Sequence, residues 1–149
     1  IPDYVVDPEM DMPVLEIDGN LCIGILEIPS QSLILPVISE WSYPALRLSP
    51  CRFSGSAYLD DMIILAHNYP RHFGGLKDLY QGDEIIFTDA AGNVFLYTVS
   101  ESQRLGPMDI DELNDGEWDL TLLTCTVGGH SRVTVRCERA ENAANVGAG

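Results

Sequence analysis

From residue 21 onward the apolar residues come in short runs. "LCIGILEIP", "LILPVI", "MIILAHN", "EIIFT", "VFLYTV", "LTLLTCT" and "RVTVRC" are each set off by Gly, Pro, Asn, Asp or Ser, and such punctuation marks strands more than helices. Runs of this length and spacing predict an all-β barrel or sandwich. "TDAAGNV", between "EIIF" and "FLYTV", carries the Asp, Gly and Asn of a hairpin loop, so the two flanking strands are expected to pair antiparallel. Alternation in "RVTVRC" puts Val133, Val135 and Cys137 on one face and Arg132, Thr134 and Arg136 on the other. Cys137 therefore reads as core, as does Cys22 in "LCIGI". Helical signal is limited to "FGGLKDLYQ", "ISEWSYPAL" and "PMDIDELND".

The two ends break this pattern. Residues 1–20 hold six carboxylates and three prolines, too acidic and interrupted for a core element, and read as an N-terminal arm. Residues 21–139 form one globular domain, and 140–149 lack apolar periodicity and read as a flexible tail. Acidity runs through the whole chain: 23 Asp and Glu against 8 Lys and Arg give a formal charge of -15. That balance excludes nucleic acid as a partner, because phosphates need cationic neutralisation, and it disfavours anionic membrane surfaces. No apolar stretch approaches the roughly 20 residues that span a bilayer. The chain begins with "IPDY", with neither an initiator Met nor a secretory n-region, so a segment upstream of residue 1 is expected.

Candidate chemistry centres on "DLTLLTCTVGG", residues 119–129, where an alternating strand ends in Thr124-Cys125 and small residues follow. A thiol at the strand end has room for another backbone to approach. An unperturbed thiol is only about 3% thiolate at pH 7, so a nucleophilic Cys125 needs a basic or cationic neighbour. The candidates are His67, His72 and His130 and the arginines Arg132, Arg136 and Arg139. His67 closes "MIILAH", another buried-type strand that breaks into the polar "NYPRH". Arg132 opens the last strand just past a tight turn, and antiparallel pairing of the last two strands returns it to the thiol. Each signal taken singly has a bland reading: an inert core thiol, a rim histidine, a solvent-facing arginine. Cys51, in "SPCRF", has a structural role in a loop or at a strand start. The four cysteines never form a CxxC pair, which argues against structural zinc, and their disulfide pairing stays open.

Taken together and in order, these stretches resemble the sortases. "TLLTC" at 121–125 resembles their TLxTC signature, "LAHN" at 65–68 their histidine box, and "RVTVRCER" at 132–139 their Arg-bearing final strand. "IGILEIPSQSLILPV" at 23–37 and "GDEIIFTDAAGNVFLYTV" at 82–99 extend the resemblance over residues 21 to 139. Only six residues, "TVGGHS", separate Cys125 from Arg132, and residues 100–118 hold no long helical insertion, which leaves the subfamily open.

The resemblance implies a closed eight-stranded β-barrel with short helices in its connections. It implies a cysteine transpeptidase that cleaves an LPxTG-type sorting motif through a thioacyl-enzyme. The product goes to an amine acceptor, either a cell-wall (peptidoglycan) precursor or a pilin lysine. On this reading Cys125 is the nucleophile, His67 the proton-transfer group and Arg132 the oxyanion or carbonyl donor, with Thr124 and Leu122 lining the substrate site. The enzyme would sit on the extracellular face of a Gram-positive cell membrane, held by an N-terminal anchor upstream of this chain. No metal and no cofactor is required. "DMDMP" and "DIDELND" lack the ligand order of a calcium loop and read as solvated. Two other classes stand beside this one: a non-enzymatic acidic β-barrel binding module, and a cysteine peptidase that only hydrolyses. In pilin-building members of the family an N-terminal Asp-Pro lid plugs the site. Asp7-Pro8 is a partial echo of it, set against an arm that packs away from the groove.

Overall fold

A computed structural model describes residues 1–67, 72–73, 75–105, 118–125 and 132–140; at 103–105, 125 and 132 it describes the backbone alone. Nine strands form one sheet. They are β1 (Leu15–Ile17), β2 (Asn20–Ile28), β3 (Leu33–Ile38), β4 (Cys51–Ser54), β5 (Met62–His67), β6 (Glu84–Asp89), β7 (Val94–Leu105), β8 (Leu120–Cys125) and β9 (Arg132–Arg139). Their order is β1-β2-β3-β4-β5-β8-β9-β7-β6, and β6 pairs back onto β2. The ring from β2 round to β6 is thus a closed eight-stranded barrel, as expected, with β1 added as a hairpin partner beyond the end of β6. Closure removes the free edges that an open sheet would expose. It also explains one glycine: a β-carbon at Gly24 would lie 2.1 Å from the Thr88 carbonyl oxygen across the β2–β6 seam.

Two faces of the barrel wall are buried, and this accounts for the sequence pattern of the central strands. Met62, Ile64 and Ala66 of β5 point into the barrel core with Leu26, Phe87 and Leu122. Ile63 and Leu65 point outward into a second cluster with Cys22, Ile38, Cys51 and Leu123, capped by Leu46. Leu46 ends the short helix α2 (Tyr43–Leu46), whose first turn is capped by the Ser42 hydroxyl. Because β5 and β8 run parallel and are covered on both sides, "MIIL" and "LTLL" read as continuous apolar runs, as buried parallel strands do. The expected β6–β7 hairpin is present, in register from Glu84↔Thr98 to Thr88↔Val94. Asp89 holds its turn, accepting the Ala91 and Asn93 amides and the Tyr58 hydroxyl.

The arm departs from expectation. Residues 15–17 form β1, and Met12 is buried in the barrel core with Met10 packed beside it. Tyr4, in the single-turn helix α1 (Asp3–Val6), stacks on Tyr58 with ring centroids 4.7 Å apart and planes at 8°, and lies 5.2 Å from Phe95. The carboxylates hide an alternation in which the few apolar residues turn inward. β4, too short to stand out as an apolar run, is the other element that the pattern missed. Of the helical expectations, α2 falls within "ISEWSYPAL", and the described residues of "FGGLKDLYQ" hold a 3-10 turn at Leu76–Asp78; "PMDIDELND" and the tail 141–149 lie outside the described residues. Among the described residues no helix is long and apolar enough to cross a membrane.

Candidate active site

Three neighbouring strands end or begin at the expected site residues: β5 and β8 end at His67 and Cys125, and β9 begins at Arg132. In the parallel β5–β8 ladder His67 is the direct partner of Cys125. The antiparallel β8–β9 ladder runs Leu120↔Cys137, Thr121↔Arg136, Leu122↔Val135, Leu123↔Thr134. The ladder ends at Leu123↔Thr134; the same register carried two residues further would bring Cys125 opposite Arg132, and Arg132 itself pairs with Leu105 on β7. Adjacent strands lie about 4.8 Å apart, so the positions of His67, Cys125 and Arg132 fit within roughly 10 Å at the end of three neighbouring strands. Directly opposed positions are the ones whose side chains can interact across a sheet. Alternation places Thr121 and Leu123 of β8 on the outer face, with His67, Ile63 and Leu65 of β5 and Thr134 and Arg136 of β9.

The rung just inside this row has its own fastening. The Val133 amide donates to Thr124 Oγ1 at 3.1 Å, so a side chain ties β8 to β9 one residue before Cys125 and one after Arg132. Thr124 is 1% exposed and Leu122 0%. Both are on the inner face, because the side-chain period of a strand is two. Leu122 is a barrel-core residue and Thr124 a strand fastener, so neither stands where a substrate-lining role was expected.

The remaining candidates are placed elsewhere. Arg136 is 4% exposed and donates to Thr121 Oγ1 at 3.0 Å. Arg139 lies at the far end of β9, paired with Asp60 at 2.5 Å, its guanidinium 4.8 Å from the Phe95 centroid. His72 is buried, and His130 lies outside the described residues. Cys22, Cys51 and Cys137 are buried free thiols, not disulfides. Burial pushes the Cys51 thiol up to about 11 and the Cys137 thiol up to about 12, and raises Cys22 with help from nearby Asp18. A thiol at about 11 is ionised to roughly one part in ten thousand at pH 7, so Cys51 and Cys137 are inert. Among the described residues no group of three or more His, Cys, Asp or Glu could hold a metal ion. A cavity of about 530 Å³ opens between the ends of β3 and β4, lined by Trp41, Arg52 and Phe53.

The fold is a closed barrel of eight strands, with His67 and Cys125 paired at the ends of two of them. The family model of the sortase domain matches residues 26–140, and the chain belongs to that family; it is a sortase-like transpeptidase. Sortase C from Clostridium perfringens SM101 is 27% identical over 94% of this chain and 76% of its own, with a TM-score of 0.69. Clostridium perfringens sortase C solved with the C-terminal cell wall sorting motif is 26% identical over 80% of this chain and 71% of its own, TM-score 0.69. Sortase A of Listeria monocytogenes, 20% identical over 80% of this chain and 88% of its own, shares the fold at a TM-score of 0.71. No curated protein sequence matches the chain.

Proposed function

We propose that this protein cleaves an LPxTG-type sorting motif and transfers the surface protein bearing it to an amine. The pairing of His67 with Cys125 at the end of the β5–β8 ladder carries this reading, with Arg132 at the start of the neighbouring strand β9. The Cys125 thiolate attacks the Thr carbonyl carbon of the motif. The oxyanion collapses with loss of the Gly amine, leaving a thioacyl bond between Thr and Cys125. His67 protonates the departing amine, then takes the proton from the incoming amine that attacks the thioester. Arg132, with fixed charge and forked donors, stabilises the oxyanion or holds the peptide carbonyls. Thr124 keeps the rung beside Cys125 and Arg132 closed.

The solved C. perfringens sortase C with its sorting motif supports a sorting-signal peptide as the donor substrate. The acceptor is a peptidoglycan-precursor amine or a pilin lysine, and the enzyme works at the extracellular face of the membrane from an anchor upstream of this chain. Intact-mass measurement after incubation with an LPxTG peptide tests the reaction. A thioacyl adduct on Cys125, consumed to a ligated product when an amine is added, is the expected result. Hydrolysis alone with excess amine would reduce the protein to a peptidase, and no adduct at any ratio would leave it a binding module.

A further inference from the structure

The chain that leaves His67 is fixed again within a few residues. The Phe73 amide donates to the His67 carbonyl at 3.3 Å, and Phe73, Leu76 and Leu79 are buried in the barrel core. Between them the Gly75 carbonyl accepts two hydrogen bonds: the Asp78 amide at 2.9 Å and the Gln31 side-chain amide, Nε2, at 2.6 Å. Gln31 lies 44 residues earlier and ends the 3-10 turn Pro29–Gln31 that follows β2. It is therefore mounted on the barrel wall and reaches across to hold the return of the histidine segment.

Gln31 also bears on the glycine at residue 75. With φ -94° and ψ 4°, Gly75 has a backbone conformation open to residues with side chains, so backbone freedom is not the reason. A β-carbon there would lie 2.7 Å from Gln31 Oε1 and 2.9 Å from its Cδ and Nε2. The space that a side chain would take is filled by the carboxamide, so the missing β-carbon and the clamp are two halves of one joint.

We propose that Gln31 is a positioning residue for His67, an inference that rests on the role given to His67 in the proposed reaction. His67 ends its strand, so the β5–β8 ladder holds it from one side only. On the other side its carbonyl is tied to Phe73, and the stretch carrying Phe73 is pinned where Gln31 grips Gly75. Releasing Gln31 loosens that side and broadens the range of imidazole positions relative to Cys125. Misplacement of a catalytic group by about 1 Å can cost two orders of magnitude in rate.

Gln31→Met keeps the length of the side chain and removes the donor. The expected result on the sorting peptide is a kcat lower by roughly tenfold or more with KM unchanged, because placement of a proton-transfer group acts on the chemical step. His67 imidazole resonances shift by NMR in the same variant, a readout that a distant packing strut would not move. Gly75→Ala, which displaces the carboxamide, reproduces both effects, and adding it to Gln31→Ala costs nothing further because the space is already vacant. A folded Gln31→Met with wild-type kcat and unmoved His67 resonances overturns the inference, as do additive losses in the double variant. If the wild-type protein never acylates, the proposed reaction fails, and the His67 resonances alone then decide whether Gln31 positions the histidine.

Discussion

Replacing Tyr4 by alanine separates an arm that braces the barrel from one that covers the active site. The Tyr4 ring stacks on Tyr58 at 4.7 Å and tilts against Phe95 at 5.2 Å. Phe95 lies near the start of β7, ten positions before Leu105, which pairs with Arg132. At about 3.3 Å per residue, roughly 30 Å of strand separates the docked arm from the catalytic row. Half-burying an aromatic ring contributes about 1–1.5 kcal/mol and each ring pair about 0.5–1.5 kcal/mol more. Tyr4→Ala is thus expected to cost about 2–4.5 kcal/mol, or roughly 5–15 °C of melting temperature for a chain of this size. Circular-dichroism melts measure that loss. Iodoacetamide labelling of the folded protein at 25 °C reports Cys125, since Cys22, Cys51 and Cys137 are buried thiols whose ionisation is opposed by their burial. The brace predicts a lower melting temperature with an unchanged labelling rate. Labelling that speeds up severalfold while the melting temperature holds would refute the reasoning and make the arm a lid.

Cys125→Ala is expected to abolish the adduct with a sorting peptide while leaving the far-UV spectrum and melting temperature close to wild type, as intact mass and circular dichroism would show. Thr124→Val deletes the acceptor of the Val133 amide; leaving that donor unpaired costs about 1–3 kcal/mol in a denaturant melt, and turnover falls with it as the Cys125–Arg132 rung loosens. Arg132→Ala should lose about 10²–10³ in turnover. Arg136→Ala, which removes a buried arginine bonded to Thr121, should instead show its main effect in a denaturation midpoint, and equal turnover losses at both arginines would contradict the register.

The barrel was legible because most of its strands declare themselves by length and punctuation, and the β6–β7 hairpin by "DAAGN". The arm was not, because its carboxylates outweigh Tyr4, Met10 and Met12 in any composition window, and only the barrel they dock on shows which residues turn inward. β4 was lost for a related reason: four residues, one of them Arg52, do not make an apolar run, and partners on both sides hold the strand in place. Cys125, His67 and Arg132 stood out by their positions at strand ends. The adjacency of His67 and Cys125 did not, since β5 and β8 are neighbours only through a parallel pairing that skips β6 and β7. Thr124 and Leu122 were misplaced because proximity in sequence to the thiol was taken for proximity in space. A strand sends consecutive side chains to opposite faces, so the neighbours of Cys125 in its site come from β5 and β9.

That geometry bears on why the reaction is housed on strand ends. A ladder fixes the Cα of each partner through backbone bonds that the site residues do not supply, so His67 and Arg132 can be exchanged without dissolving the frame that holds Cys125. The described strands stop at the site residues: β8 at Cys125, β5 at His67, and β9 starts at Arg132. Those are the places where side chains take over from the ladder: Thr124 binds the Val133 amide on one side of the row, and Gln31 grips the Gly75 carbonyl on the other. Substitution at either position alters how the row is held while leaving its chemical groups in place. Loss of rate without loss of binding is therefore the signature to look for at these two residues, and loss of the adduct itself the signature at Cys125.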